Sequence, residues 1–206
     1  VQYHQDKTRL EAVSNLTERY EGYGGSIRRV MEQKDKNPSI IGVVADIIKV
    51  EKKYETAIET ALGGSIQNIV TDNEETAKGM ISFLKQTKSG RATFLPLNSI
   101  KNAQEFRQKE ALKEPGVLGL AHTLVHTDEK YGDVAKSLLG RIVVVDHVDH
   151  ATQLARKFKY SLRIVTLEGE SLSPGGSISG GAFKNSSNLL GRRREMEELE
   201  WKVKAH

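Results

Sequence analysis

At 206 residues, with 31 Lys and Arg against 27 Asp and Glu, the sequence carries a formal charge of +4, and 37% of its residues are hydrophobic. That length suits one large domain or two small ones sharing a core; no run approaches a membrane span, and the polar start VQYHQDKTRLEAV lacks the apolar stretch of a secretory signal. The absence of cysteine excludes a disulfide framework and thiolate metal sites and fits a cytoplasmic setting, while the modest basic excess is compatible with nucleic acid without requiring it.

The first 22 residues are polar, with Leu10, Val13, Leu16, Tyr20 and Tyr23 spaced by three and four, a narrow helical stripe. IIGVVADII at 40–48 reads as a strand. YETAIETAL at 54–62 has a helical pattern that stops at Gly63, IQNIV at 66–70 reads as a strand, Asp72 and Asn73 cap a helix through EETAKGMISFLKQTK, and RATFLPL after Gly90 reads as another strand. Residues 98–116 are charged and helix-prone. The order then recurs: a helix at 131–139 ending at Gly140, the strand RIVVVD, the helix HVDHATQLARKFK and the strand LRIVTL. Tyr54 aligns with Tyr131, Gly63 with Gly140 and, after a gap, Ala77 with Ala151. The fold class is therefore α/β, in the mixed α+β sense, with two related lobes. The tail from Leu189 is polar and helical, with Met196, Leu199 and Val203 in a second stripe. The two terminal stripes predict an antiparallel coiled coil; two helices docked separately on the surface are the alternative.

No catalytic set emerges. G-x-x-x-x-G-K-[ST] is absent, and Gly22-Tyr23-Gly24-Gly25 follows a helical stripe and lacks the third glycine of a dinucleotide fingerprint. His122 and His126 flank a β-branched, extended stretch that would hold them about 13 Å apart, and with His147 and His150 they read as surface histidines, not metal ligands. Ser82-Phe83-Leu84-Lys85 matches S-x-x-K without its companion motifs. The segment GGSISGG at 175–181 has three readings: a phosphate cradle, a turn, or an edge where another backbone approaches too closely for a Cβ.

The run from IIGVVADII through RATFLPL, the tail RIVTLEGESLSPGGSISGG and the charged helices at both ends resemble the hinge domain of bacterial structural maintenance of chromosomes (SMC) proteins, across about residues 20–190. The resemblance implies a half-ring with coiled-coil stubs at 1–22 and 189–206, a first lobe at 23–97, a linker at 98–116 and a second lobe with the glycine segment at 117–188. It implies a non-enzymatic homodimerisation hinge that joins two coiled-coil arms of a chromosome condensation and segregation ATPase. ATP and Mg would be held by head domains absent from this sequence. Other chromosome-organising subunits would bind elsewhere on the full protein, which would sit in the cytoplasm on the nucleoid. Gly175, Gly176, Gly180 and Gly181 take the family's dimer-interface positions, against an internal turn as the alternative. Non-specific DNA contact is implied at Lys85, Lys88 and Arg91, where Gln86 replaces a second lysine. A second basic patch comprises Arg28, Arg29, Arg192, Arg193 and Arg194; a merely solvated face is the alternative for both. The rival function is a two-lobed protein binding a small anion at its glycine turns, possibly as an enzyme.

Overall fold

The computed structural model describes residues 23–101, 103–182 and 189–205, so the predicted stripe of Leu10, Val13, Leu16 and Tyr20 lies outside the described residues. Helix α1 (Gly25–Met31) buries Ile27, Val30 and Met31, three and four apart, and leaves Arg28 and Arg29 exposed. The run at 40–48 is not one strand. β1 (Ile40–Val43) gives way to a single helical turn, α2 (Val44–Ile47), before β2 (Lys49–Val50), and the Asp46 carboxylate accepts a long hydrogen bond from the Val43 N–H across that turn.

Helix α3 (Glu55–Leu62) buries Ala57, Ile58, Ala61 and Leu62 and stops at Gly63, whose φ of 53° is left-handed and strains any residue with a Cβ. The predicted strand at 66–70 begins late, because Gly63–Gln67 winds into 3-10 turns and β3 is Ile69–Thr71. Asn73 caps α4 (Glu74–Thr87) by accepting the Thr76 N–H at 2.9 Å, and Glu74 and Glu75 complement the helix dipole. Lys88 closes α4 in the left-handed region, and β4 is only Phe94–Pro96, shorter than RATFLPL.

The second lobe repeats the first: β5 (Val117–Leu120), β6 (Val125–His126), α5 (Gly132–Leu139), β7 (Ile142–Val145), α6 (Val148–Lys157) and β8 (Arg163–Thr166). In lobe I, β1 pairs antiparallel with β3 and β3 parallel with β4; in lobe II, β5 pairs antiparallel with β7 and β7 parallel with β8. Tyr54 and Tyr131 directly precede α3 and α5, Gly63 and Gly140 directly follow them, and Ala77 and Ala151 are buried in α4 and α6. By the offset that relates Tyr54 to Tyr131, Lys49 corresponds to His126, and these two residues pair with each other in the β2–β6 ribbon. A residue facing its own equivalent marks a local two-fold relation, so the ribbon is the seam between lobes. Lobe II alone continues outward, through the hairpin β9 (Ser171–Leu172) and β10 (Ile178–Ser179).

Alternation along β7 and β8 divides the core. Ile142, Val144 and Val165 face the cluster shared with lobe I, whereas Val143, Val145 and Ile164 face α6 residues Ala151, Leu154 and Ala155. The segment 98–116 contains no α-helix among its described residues, against its helix-prone composition. It lies on lobe II, where Phe106 and Ala111 complete the second cluster and Lys109–Lys113 is a 3-10 helix. Burying Phe106 secures the extended chain better than an exposed helix of charged residues would. The last helix, α7 (Leu189–Ala205), buries Leu189, Leu190, Met196 and Leu199 while Trp201 is exposed.

Candidate dimerisation edge and basic surface

The glycine segment combines a turn with an edge. Pro174 and Gly175 occupy the centre of a β-turn closed by the Gly176 N–H donating to the Ser173 carbonyl at 3.0 Å, and Gly175 has a φ of 96°. Proline followed by a positive-φ residue is the requirement of a type II turn, so Gly175 has a duty within one chain. Its N–H donates to the Tyr160 carbonyl at 2.8 Å and fastens the turn to the end of α6. Beyond the turn, β10 is bonded to β9 on one side and, among the described residues, is the last strand of the sheet. Residues 174–182 are exposed, and Ile178 is 57% exposed beside Tyr160, which is 44% exposed. A Cβ at Gly181 would meet nothing within 4 Å, though its φ of 136° is itself restrictive; at Gly180 a Cβ would meet mainly the flexible Glu170 side chain, at 3.1 Å. Crowding inside one chain therefore does not require a glycine at 180.

Among the described residues lobe I also ends in an open edge. The Ile69 N–H donates to the Thr93 carbonyl and the Leu97 N–H to the Thr71 carbonyl, so odd-numbered residues address β3, and Phe94 and Pro96 turn their backbone outward. Pro96 lacks an N–H, which an edge strand tolerates and a central one does not.

The structure divides the predicted basic residues differently from the sequence. Ser26 Oγ donates to the Arg91 carbonyl at 2.5 Å, and the Arg29 guanidinium lies 5.4 Å from the Phe83 ring centroid. These contacts set α1 against the end of α4, so Arg28 and Arg29 join Lys85, Lys88 and Arg91 at one junction, all exposed.

Arg192, Arg193 and Arg194 are half-buried at the root of α7 instead. Arg194 Nε donates to Glu55 Oε2 at 2.6 Å and its Nη1 to Glu198 Oε1 at 2.8 Å. Arg193 Nε is buried 3.6 Å from Glu197 Oε1, too far for a hydrogen bond. Arg192 is engaged as well. The Leu190 N–H donates to Glu59 Oε1 at 2.8 Å. Burial pushes the Glu59 carboxyl up to about 7, against the lowering effect of that hydrogen bond. Burial also raises Asp46, opposed chiefly by Arg193. This cluster fastens α7 to α2 and α3. The sequence signal was present in Glu55 and Glu59, one helical turn apart opposite a triple-arginine run, but needed the docking to be interpretable.

The amides of the glycine turns are largely committed internally: Gly24 N–H to Gln67 Oε1, Gly175 to Tyr160 and Gly176 to Ser173. A phosphate cradle needs such amides aimed at solvent. His122 lies in the 3-10 turn Ala121–Leu124, not in an extended strand, with a buried Nδ1 that has no hydrogen-bond partner among the described residues; burial, then the charge of Lys136, lowers its pKa. Among the described residues no cluster of three or more His, Asp or Glu is placed to hold a metal ion, and no helix is long and apolar enough to cross a membrane.

The family model for the flexible hinge domain of SMC proteins matches residues 37–155. The chromosome partition protein Smc of Desulfitobacterium hafniense (strain Y51) is 46% identical over 196 residues, 93% of this chain and 16% of that protein. The chain thus spans 16 to 17% of the length of the first curated relatives it matches. A solved asymmetric dimer of the Geobacillus stearothermophilus SMC hinge domain matches with a TM-score of 0.89 at 38% identity, covering 98% of this chain and 82% of that one. The Pyrococcus furiosus SMC protein hinge domain gives 0.63 at 32% identity, covering 87% and 94%. The paired lobes, the ribbon between them and the helix leaving lobe I are therefore those of a known module, and the chain belongs to the SMC hinge domain family.

Proposed function

We propose that this chain is the homodimerisation hinge of a chromosome condensation and segregation ATPase, joining two coiled-coil arms and touching DNA weakly and without sequence preference. The observation that carries the reading is the exposed β10 edge, where Ile178 is 57% exposed between glycine pairs and a sheet direction stays open to a second copy. In a two-fold dimer the contact is made twice, with the outward edge of β4 as the complementary surface. The dimeric G. stearothermophilus hinge supports the same reading. DNA contact belongs at the junction formed by Arg28, Arg29, Lys85, Lys88 and Arg91, and the engagement of Arg192, Arg193 and Arg194 in fastening α7 removes them from it. ATP and Mg do not fit this chain, which lacks a phosphate-loop motif; in the full protein they belong to other domains, as do accessory subunits.

Sedimentation of an Ile178→Lys, Gly180→Val variant tests the dimer. Position 180 has no positive φ, so valine strains the single chain less there than at Gly175. The expected result is a folded monomer; a native dimer would assign the interface elsewhere, and general unfolding would return the segment to a purely internal role.

A further inference from the structure

The two lobes close the starts of their parallel strands differently. In lobe I, α1 seals them: the Gly24 N–H donates to Gln67 Oε1 just before β3, and Ser26 Oγ donates to the Arg91 carbonyl ahead of β4. In lobe II an extended segment at 104–108 takes that place, with Gln104 Oε1 accepting from Arg141 Nη1 at 2.8 Å and Gln108 Nε2 donating to Ser161 Oγ at 3.2 Å. An extended chain is thinner than a helix. It leaves a cleft of about 800 Å³ between itself and the starts of β7 and β8, with Pro174 of the hairpin turn on its rim.

Three guanidinium-bearing residues line this cleft from three elements: Arg107 on the extended segment, Arg141 on the turn into β7, and Arg163 at the start of β8. All three are exposed. The side chains of Arg107 and Arg163 make no hydrogen bond or ion pair among the described residues, and the hydrogen bond that Arg141 makes there is to a neutral amide. Among the described residues Glu105 is the one carboxylate in the lining, and Lys136 holds it at 2.5 Å. By contrast Arg194 has Glu55 and Glu198, and Arg29 has Glu32. A cleft with three guanidiniums and no free carboxylate is complementary to oxyanions, and the planar guanidinium fork suits phosphate.

The lining also says which part of a phosphate ligand is held. Its aromatic residue, Phe106, is 7% exposed and committed to the core, so no ring face is offered to a base. The volume is that of a small-molecule pocket, room for the backbone of one strand and not for a duplex. We propose that Arg107, Arg141 and Arg163 form a phosphate-binding cleft that takes the backbone of a single nucleic-acid strand, separate from the basic junction of α1 and α4. The inference rests on the cleft's own charge and shape, and the test separates the two surfaces.

A labelled oligothymidine is titrated at several salt concentrations against the parent chain, an Arg107→Gln, Arg141→Gln, Arg163→Gln variant, a Lys85→Glu, Lys88→Glu, Arg91→Glu variant, and a variant combining both sets. Replacing the three cleft arginines removes about 2 units of log-log salt slope, at roughly 0.7 per phosphate contact for single strands, in the parent and in the charge-reversed background alike. Because the three residues are exposed, an unchanged melting temperature accompanies the loss. Glu105→Gln, which removes the one acid of the lining and releases Lys136, tightens binding. Tripolyphosphate, as phosphate alone, shifts the NMR signals of Arg107, Arg141 and Arg163 in the parent. An unaltered slope in the glutamine variant overturns the proposal. If tripolyphosphate shifts those signals while the oligonucleotide slope stays the same, the cleft belongs to a free phosphate compound and the strand assignment falls.

Discussion

Lobes I and II share one scaffold and use the same position of it with opposite charge. By the offset that relates Tyr54 to Tyr131, Glu59 of α3 corresponds to Lys136 of α5. Each pins the segment that packs on its lobe: Glu59 accepts the Leu190 N–H at the start of α7, and Lys136 holds Glu105 of the extended segment. Glu55, the other half of the latch, corresponds to Gly132, so α5 has no carboxylate to offer Arg194. The repeat thus fixes where a neighbour docks, and two side chains decide which neighbour it is. The sheet edges follow the same logic. The strand equivalent to β4 is β8, but β8 is covered by β9 and β10, which moves the open edge of lobe II outward to the glycine segment.

The strongest way to break the asymmetry is at Arg194. Replacing it with methionine leaves Glu55, whose side chain is 8% exposed, without its partner. Removing one member of a buried pair costs roughly 3–5 kcal/mol; because Arg194 itself is 26% exposed, about 2–4 kcal/mol is expected here, read as a lower melting temperature. Faster hydrogen exchange should concentrate in α7 and α3. An effect under about 0.5 kcal/mol, the range of ordinary surface changes, would remove the latch as the reason α7 docks on lobe I.

The fold was more legible in the sequence than the sites were. The repeat of Tyr, Gly and Ala positions survives in the structure because those residues sit at helix starts, helix ends and buried helix faces, where local rules are strict. The strand at 40–48 was misread because hydrophobicity alone does not show that Asp46 bonds back to Val43 and turns the chain. The segment 98–116 was misread because its composition favours a helix, while the decisive contact, Phe106 in the lobe II core, is tertiary. Pro174-Gly175 announced a turn, and the structure adds that the same hairpin ends a sheet. The sequence groups Arg28 and Arg29 with Arg192–Arg194 near the junction of coil and hinge, whereas folding joins them to α4. Arg107, Arg141 and Arg163 form no motif at all; sheet pairing and the crossing segment bring them together.

The next effect should be smaller and dependent on pH. Folding raises the Glu59 carboxyl from its ordinary 4.5 to about 7, with burial as the first cause, Glu55 also raising it, and the Leu190 N–H and Arg192 opposing. A proton bound more tightly in the folded state stabilises that state fully below the unfolded value, and the contribution disappears as pH rises through the folded one. Stability should therefore decline between about pH 4.5 and about pH 7 on account of this group. Asp46, also raised by burial, acts in the same direction. Glu59→Gln keeps an oxygen that accepts the Leu190 N–H and removes the titration, so it should flatten that decline. After solvent screening of a partly exposed group, the variant should be more stable at pH 8 by on the order of 1–2 kcal/mol. Thermal melts of both proteins across the pH range check the sign, and a decline of equal size in the variant would assign it to other groups.

The corresponding change in lobe II should be the mildest. Lys136 and Glu105 are 38% and 69% exposed at the side chain, so their attraction acts in a largely aqueous dielectric and is weak. Lys136→Ala should therefore lower the melting temperature only slightly and should do so without altering the pH dependence near neutrality, because Glu105 is held below the ordinary carboxylate range and stays ionised there with or without its partner. The equivalent positions then differ in consequence as well as in charge. The carboxylate on α3 is enclosed by α7 and is sensitive to pH, whereas the ammonium on α5 meets an exposed carboxylate and fastens the extended segment only lightly. Phe106, buried in the second cluster, supplies the stronger hold on that segment, so a double variant with Phe106→Ala should lose several kcal/mol more than Lys136→Ala alone, about 3–5 for truncation of a buried aromatic. Melting temperatures of the single and double variants decide the matter, and a large loss from Lys136→Ala alone would show that the lobe II contact is as strong as the latch on α3.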